Sequence, residues 1–417
     1  MPLSQAFRHI PLSGLSLLLL AVALLQPQRV AAQGAPPPAP TAAPVQKPVP
    51  WYESFRIRGY GQIRYNRLLE SNPQFQCEQC DRSWGDLGGF FIRRARLIVQ
   101  GQIHPQVFIY LQPDFASAVG TSGNVAQLRD WYVDLGVDKD NAFRFRVGQS
   151  KVPYSYENMQ SSSNRLPLDR ADATNSAHAN ERDLGLFFMW APKTARARYA
   201  ELATGTGKGS GDYGVFAVGA FNGQTANRAD ANNNQTLVAR LSYPFKIGNQ
   251  LVEPGIAGYR GQYTVTAEQR SAGVKGRRDW TYADERALVQ LNIAPRPLGL
   301  LAEYNVGRGP EYNPARDSIE TQALRGGFVT ATYQLKRGTQ IFFPFVRYQV
   351  YDGGKKHERD ARSHTVNDVE FGVEWQPNPK FELVTEWYQG NRRFEDKLRP
   401  RWEQRGRLLR IQAQFNY

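Results

Sequence analysis

Arginines stand at alternate positions in several short stretches of the chain. Arg56-Ile57-Arg58 continues to Arg64, and the pattern returns in Arg94-Ala95-Arg96, in Arg144-Phe145-Arg146 and at Arg410. A guanidinium offers a planar fork of donors that fits the oxygens of phosphate and carboxylate. Rows of such groups on one surface attract anions. Lys151 adds an ammonium just past the third stretch. Acids occupy alternate positions elsewhere: Asp114, Asp130, Asp134, Asp368, Glu370, Glu374, Glu382 and Glu386. Any one of these arginines is as well explained by a salt bridge or by solvent. The anion reading rests on their clustering.

Other chemistry is poorly supplied. Nucleophilic catalysis needs a nucleophile beside a base. Beyond the first residues the histidines are His104, His178, His357 and His364. Asp360 and His364 could be neighbours, but a solvated charged loop accounts for them equally, so no enzyme is expected. The two cysteines, Cys77 and Cys80, are expected to form a small loop disulfide in an oxidising compartment. Half of a zinc site is the alternative, but no CxxC or HxxxH partner completes it. No metal or cofactor is expected. The run TGTGKGSGD at 204–212 looks like a phosphate loop but lacks the G-x-x-x-x-G-K-[ST] spacing, and it follows no βα unit.

The arginine spacing implies strands, since a period of two sends successive side chains to opposite faces. The last stretch shows it best. Leu409, Ile411, Ala413, Phe415 and Tyr417 share one face, and Arg410, Gln412, Gln414 and Asn416 share the other. Sixteen such stretches are predicted, at about 54–67, 90–103, 106–115, 127–137, 142–150, 183–192, 213–222, 235–245, 251–264, 281–293, 298–308, 322–335, 339–351, 365–376, 380–391 and 406–417. Their connections alternate between tight turns (DKDN at 138–141, KIGNQ at 246–250, KRG at 336–338, PNP at 377–379) and long loops. Short turns at one end and long loops at the other are the pattern of an exported membrane barrel. One connection, 193–212, is too long for its place. Either a flanking strand extends through 196–203 or the turn carries an insertion.

The remaining features agree. Residues 1–32 read as a secretory signal, with Arg8 and His9, an apolar segment from Leu12 to Leu25, and a small-residue site at Val30-Ala31-Ala32. Residues 33–50 are rich in Pro and Ala and read as an extended periplasmic tether. The barrel would occupy 51–417. Mean hydropathy is −0.54, as expected when only every second strand residue is apolar. The formal charge is +14, and +12 without Arg8 and Arg29 of the signal. A basic balance suits nucleic acid, anionic lipid or anionic solutes, and export argues against nucleic acid.

Parity assigns the faces. Phe55, Ile57, Ile63 and Tyr65 point to lipid, with Arg56, Arg58, Tyr60, Gln62 and Arg64 inward. Leu97, Val99 and Ile103 face out, with Arg94 and Arg96 inward. Phe143, Phe145 and Val147 face out, with Arg144 and Arg146 inward. These strands, with Arg410 on the sixteenth, are expected to form one basic wall around a water-filled lumen. The loop 151–182 is long enough to fold inward as a constriction. Its charged residues include Lys151, Glu157, Arg165, Asp169, Arg170, Asp172 and Glu181, which would set a field across the opening.

Several segments carry a family resemblance: IRRARLIVQGQI (92–103), FIYLQPDFA (108–116), DWYVDLGV (130–137), FRFRVGQSKVPYSYENMQSSSN (143–164), ERDLGLFF (181–188), VGAFNGQ (218–224) and AEYNVGRGPEYN (302–313). The chain resembles the phosphate-selective porin O/P family of Gram-negative outer membranes. Lys151 and Pro153 match the family's third-loop pattern. The resemblance implies a sixteen-stranded, trimeric outer-membrane channel with an inward third loop and a preference for small anions such as phosphate. The expected surroundings are outer-membrane lipid and lipopolysaccharide.

Overall fold

The computed structural model describes residues 50–75, 89–119, 122–204 and 206–417. The signal 1–32, most of the 33–50 tether, and Cys77 and Cys80 lie outside these residues. After a short 3-10 turn at Trp51–Ser54, the chain enters a single antiparallel sheet that closes on itself. Its sixteen strands are β1 Phe55–Leu68, β2 Phe90–His104, β3 Val107–Val119, β4 Ser122–Gly136, β5 Phe143–Lys151, β6 Arg182–Trp190, β7 Phe216–Phe221, β8 Thr236–Ser242 (resumed at Phe245–Ile247), β9 Gln250–Thr264, β10 Thr281–Ile293, β11 Leu298–Asn313, β12 Ser318–Tyr333 (resumed at Leu335–Arg337), β13 Gln340–Gly354, β14 Ser363–Asn378, β15 Phe381–Asp396 and β16 Arg399–Asn416. The two resumed pieces pair with the same neighbour as the main strand, so each is one wall element with a local break.

Closure is made by β1 and β16, in register from Tyr60↔Asn416 to Tyr65↔Ile411, with a register shift before Leu68↔Leu409. Two backbone bonds between Gly59 and Tyr417, of 2.8 and 3.0 Å, extend the seam. The Tyr417 hydroxyl donates to the carbonyl of Arg96 at 3.0 Å. A Cβ at Gly59 would lie 2.2 Å from that carbonyl oxygen and 2.5 Å from the Tyr417 ring, so only glycine fits there. A sheet in hydrocarbon has to close, because an open edge leaves polar groups unpaired at a cost of several kcal/mol each.

The polarity of the wall is inverted relative to a soluble sheet. Ile57, Phe143, Val147, Leu186, Leu237, Val289, Val346, Phe371 and Phe415 are all exposed on the outer face. Arg64, Arg347, Arg410, Glu370 and Glu386 are no more than 1 % exposed. Alternation thus sends the apolar set outward and the charged set inward, as the parity reading expected. Among the described residues no helix is long and apolar enough to cross a membrane.

The 193–212 connection is an insertion rather than an extended strand. After the single-turn helices α1 Tyr156–Met159 and α2 Asp172–Asn175, Lys193–Ala203 form the helix α3, which lies at the end of the barrel that carries the short turns. Its Tyr199 and Leu202 are buried, and Leu202 packs with Leu251 and Ala294. The run 204–212 follows this helix in the chain, whereas a phosphate loop leads from a strand into a helix.

Candidate functional site

The 152–181 loop leaves the wall between β5 and β6 and runs inside the barrel. Two single-turn helices, Tyr156–Met159 and Asp172–Asn175, stiffen it. Its carboxylates reach inward-facing cations on strands a quarter to a half of the way round the ring. Glu157 is 3.0 Å from Arg347 of β13, and it also accepts from the Ala171 amide and the Thr174 hydroxyl. Asp169 is 2.9 Å from Arg64 of β1 and 2.8 Å from Arg410 of β16, with Arg93 at 3.5 Å. Asp172 meets Lys355 and lies 2.9 Å from Arg392. Glu181 binds cations of the loop and of its flanking strand ends instead, with Arg165 and Arg170 both at 3.1 Å, Arg182 at 2.5 Å and Lys151 at 3.9 Å.

An apolar anchor adds to these pairs. Leu166 and Leu168 pack on Phe343, Phe345 and Val384, which face inward from β13 and β15. Fully burying side chains of this size stabilises by roughly 1.5–3 kcal/mol each. At the base of the loop, Val152, Tyr154 and Ala177 pack against Phe187, Phe221 and Tyr259. The loop therefore fills part of the lumen as a fixed element.

Charge states follow from this packing. Burial opposes ionisation of Asp169, but Arg64 and Arg410 outweigh it and hold the carboxyl well below the usual carboxylate range. Asp172 is likewise resisted by burial and drawn down by Arg392 and Lys355, to about 2. Burial pushes the His178 imidazole well below its ordinary value, and Lys356 adds to the effect, so it is neutral.

The expected basic wall needs correcting. Strands β16, β1 and β2 are adjacent, but β5 stands beyond β3 and β4. Arg144 makes a bidentate pair with Asp212 at 2.8 Å, and Arg146 one with Asp134 at 2.7 and 2.8 Å. Neither pair includes an arginine of those three strands, and Arg196 of the inserted helix shares Asp212 at 3.3 Å. Lys151 donates to the carbonyls of Gln160 and Met159 at 2.6 and 3.1 Å, which makes it a clasp at the loop's base. Arg170 likewise ties the loop to itself, bonding Asn158 and the His178 carbonyl. Asp360 and His364 are not partners: Asp360 accepts from Ser271, and His364 sits 3.2 Å from Glu358.

Three strands form the wall that remains. Arg96 pairs with Asp114 at 2.8 Å and donates to Tyr60 and to Ser162 of the loop. Arg410 also meets Glu386. Arg94 donates to Gln62 at 2.7 Å and has no carboxylate partner among the described residues. Arg56 and Arg58 are exposed near the turn end, and Arg58 contacts Gln100 at 3.3 Å. Sequence parity missed Arg93. A β-bulge opposite Gln62 and Ile63 breaks the alternation and brings Arg93 to Asp169. Parity on β13 would have found Arg347, between outward Val346 and Tyr348. Its Nη2 donates to both oxygens of Glu370 at 2.6 Å, and its Nε to Oε1 at 3.1 Å.

Two cavities flank the loop. One of about 590 Å3 opens on the turn side, with Arg58, Lys151, Arg182, Asp130 and Glu382 as its charged lining. The other, of about 480 Å3, lies toward the long loops. Arg228, Lys355, Arg359, Arg362 and Arg399 line it, against Glu268 and Glu358. Among the described residues no cluster could hold a metal ion.

A closed barrel with an apolar outside, a charged inside and a loop across its bore defines a porin, a channel of the Gram-negative outer membrane. The family profile described as phosphate-selective porin O and P matches residues 73–417, and the chain belongs to that family. Solved porins share the fold at low identity. The OmpF of Salmonella typhi, in complex with daunomycin, is 13% identical with a TM-score of 0.56, covering 87% of this chain and 97% of its own. The outer membrane channel DcaP of Acinetobacter baumannii is 14% identical with a TM-score of 0.53, covering 87% and 97%. An anion-selective porin from Comamonas acidovorans is 11% identical with a TM-score of 0.51, covering 87% and 99%. Among curated proteins nothing matches.

Proposed function

We propose that this porin passes small anions, phosphate among them, by diffusion through a hydrated lumen narrowed by its third loop. The observation that carries the reading is a surplus of cations along the route. The loop-side cavity has five basic residues against two acids, and the turn-side cavity three against two. Between them the β16–β1–β2 wall has Arg410, Arg64, Arg93, Arg94 and Arg96. Asp169, Glu386 and Asp114 neutralise part of it.

An anion entering the narrow zone sheds part of its water. Guanidinium donors replace those hydrogen bonds, and charge-assisted bonds of this kind are roughly twice as strong as neutral ones. Binding has to stay weak enough for release, so most wall arginines being partly neutralised suits conduction. Arg94 is the favoured transit site. Arg56 and Arg58 would extend the positive potential to the turn-side mouth. The reading needs no cofactor and no energy coupling. The outer apolar band suits contact with outer-membrane lipid and lipopolysaccharide, and the family resemblance supports a homotrimer.

A second reading is a general diffusion porin without phosphate preference. It is favoured by the ion pairs that occupy Arg64, Arg96 and Arg410. Added phosphate separates the two. The anion-site reading expects phosphate to reduce chloride current in the wild type and much less so in Arg94→Gln. Equal insensitivity of both proteins supports the general porin.

A further inference from the structure

The insertion between β6 and β7 does more than lengthen a turn. Past α3 the chain turns back at residues 206–212. A Cβ at Gly209 would lie 2.6 Å from the carbonyl carbon of Leu202, so this return over the helix end needs glycine. At its apex, Lys208 Nζ is 2.5 Å from Glu374 Oε1 of β14 and 4.8 Å from the Phe343 ring centre of β13. Those strands stand about half-way round the ring from β6 and β7. The segment therefore crosses the whole bore. It also touches the third loop from below: the Lys208 carbonyl accepts from Gln160 at 2.7 Å, and the Gly209 carbonyl from Asn164 at 2.9 Å. Asp212 fastens the near end to Arg144.

We propose that residues 206–212 form a strap across the turn-side exit, a second filter beneath the third loop, with Lys208 as a determinant of charge selectivity. The strap divides the exit and directs solute through the cavity lined by Arg58, Thr206, Ser210, Tyr213 and Gln376. Lys208 neutralises buried Glu374, and Glu382 lines the exit, so removing the ammonium leaves the charge of Glu374 uncompensated behind that lining. This rests on the channel reading above. A wild type that fails to conduct overturns that reading, whereas the tests below compare variants with a conducting wild type.

Two measurements in planar bilayers test the strap. Thr206 is half-buried and lines the exit. An anionic, sulfonate-bearing methanethiosulfonate reagent added to Thr206→Cys is expected to remove most of the single-channel current. Unchanged current, with modification verified by mass spectrometry, overturns the strap. Lys208→Met is expected to move the reversal potential toward cations, while Lys208→Arg retains the wild-type value. A reversal potential unmoved by Lys208→Met overturns the selectivity role.

Discussion

Asp169 Oδ2 lies 2.8 Å from Arg410 Nη1, although 241 residues separate them in the chain. The contact joins the third loop to the last strand, beside the seam that closes the barrel. One carboxylate thus does two things. It holds the constriction in place, and it lowers the positive charge of the wall behind it.

Replacing that carboxylate separates the two roles. Asp169→Asn keeps the shape and removes the negative charge that faces Arg64 and Arg410. Breaking a buried ion pair costs about 3–5 kcal/mol in a dry site, and lumen water reduces the figure here. The expected results are a lower unfolding temperature in detergent, noisier single-channel current, and a reversal potential moved toward anions.

Arg94→Gln should behave differently from Arg64→Gln. Among the described residues Arg94 has a neutral hydrogen-bond partner, Gln62, and no carboxylate; a bond from a charged donor, worth about 1.5–3 kcal/mol, is offset here by the cost of burying an unpaired guanidinium. Its loss should leave thermal stability nearly unchanged and weaken anion preference. Arg64 holds Asp169, Gln412 and the Leu168 carbonyl, so its loss should lower the unfolding temperature. Comparing melting and reversal potential for the two variants checks the distinction.

Acid should release the third loop only at low pH. Asp169 and Asp172 are depressed below the unfolded aspartate value of about 3.9, Asp172 to about 2. A depressed folded value means the stabilisation is complete above the unfolded value and is lost as pH falls toward the folded one. Neutral His178 contributes nothing in the mildly acidic range, because burial and Lys356 hold its value well below ordinary. Hydrogen-exchange protection of amides 156–175 should stay constant from neutral pH to about 5 and drop between about 4 and 2.

Gly59→Val should block closure. The new side chain would meet the Arg96 carbonyl and the Tyr417 ring at the β1–β16 seam. The expected outcome is loss of the compact, heat-modifiable band on unheated gels, with wild-type mobility after boiling.

The barrel was legible because lipid imposes a local rule. Wherever a strand crosses hydrocarbon, every second residue has to be apolar, and that pattern survives in the sequence alone. Outside the lipid the rule lapses. β16 begins at Arg399, seven residues before the apolar alternation signals it, and β11 runs on to Asn313 rather than 308. Arg93 was hidden by a bulge that shifts parity by one. Helix α3 was hidden because a turn of this class is normally short. The ion pairs were out of reach for a deeper reason. Whether Arg64 or Arg410 is neutralised depends on where Asp169 lands after the loop folds inward, and no spacing in the chain encodes that.

The most direct test is the zero-current potential of the purified porin across a planar bilayer under a potassium chloride gradient. The expected result is steady conductance and a potential whose sign marks chloride as the more permeant ion, reduced in Arg94→Gln. A potential with potassium as the more permeant ion would contradict it.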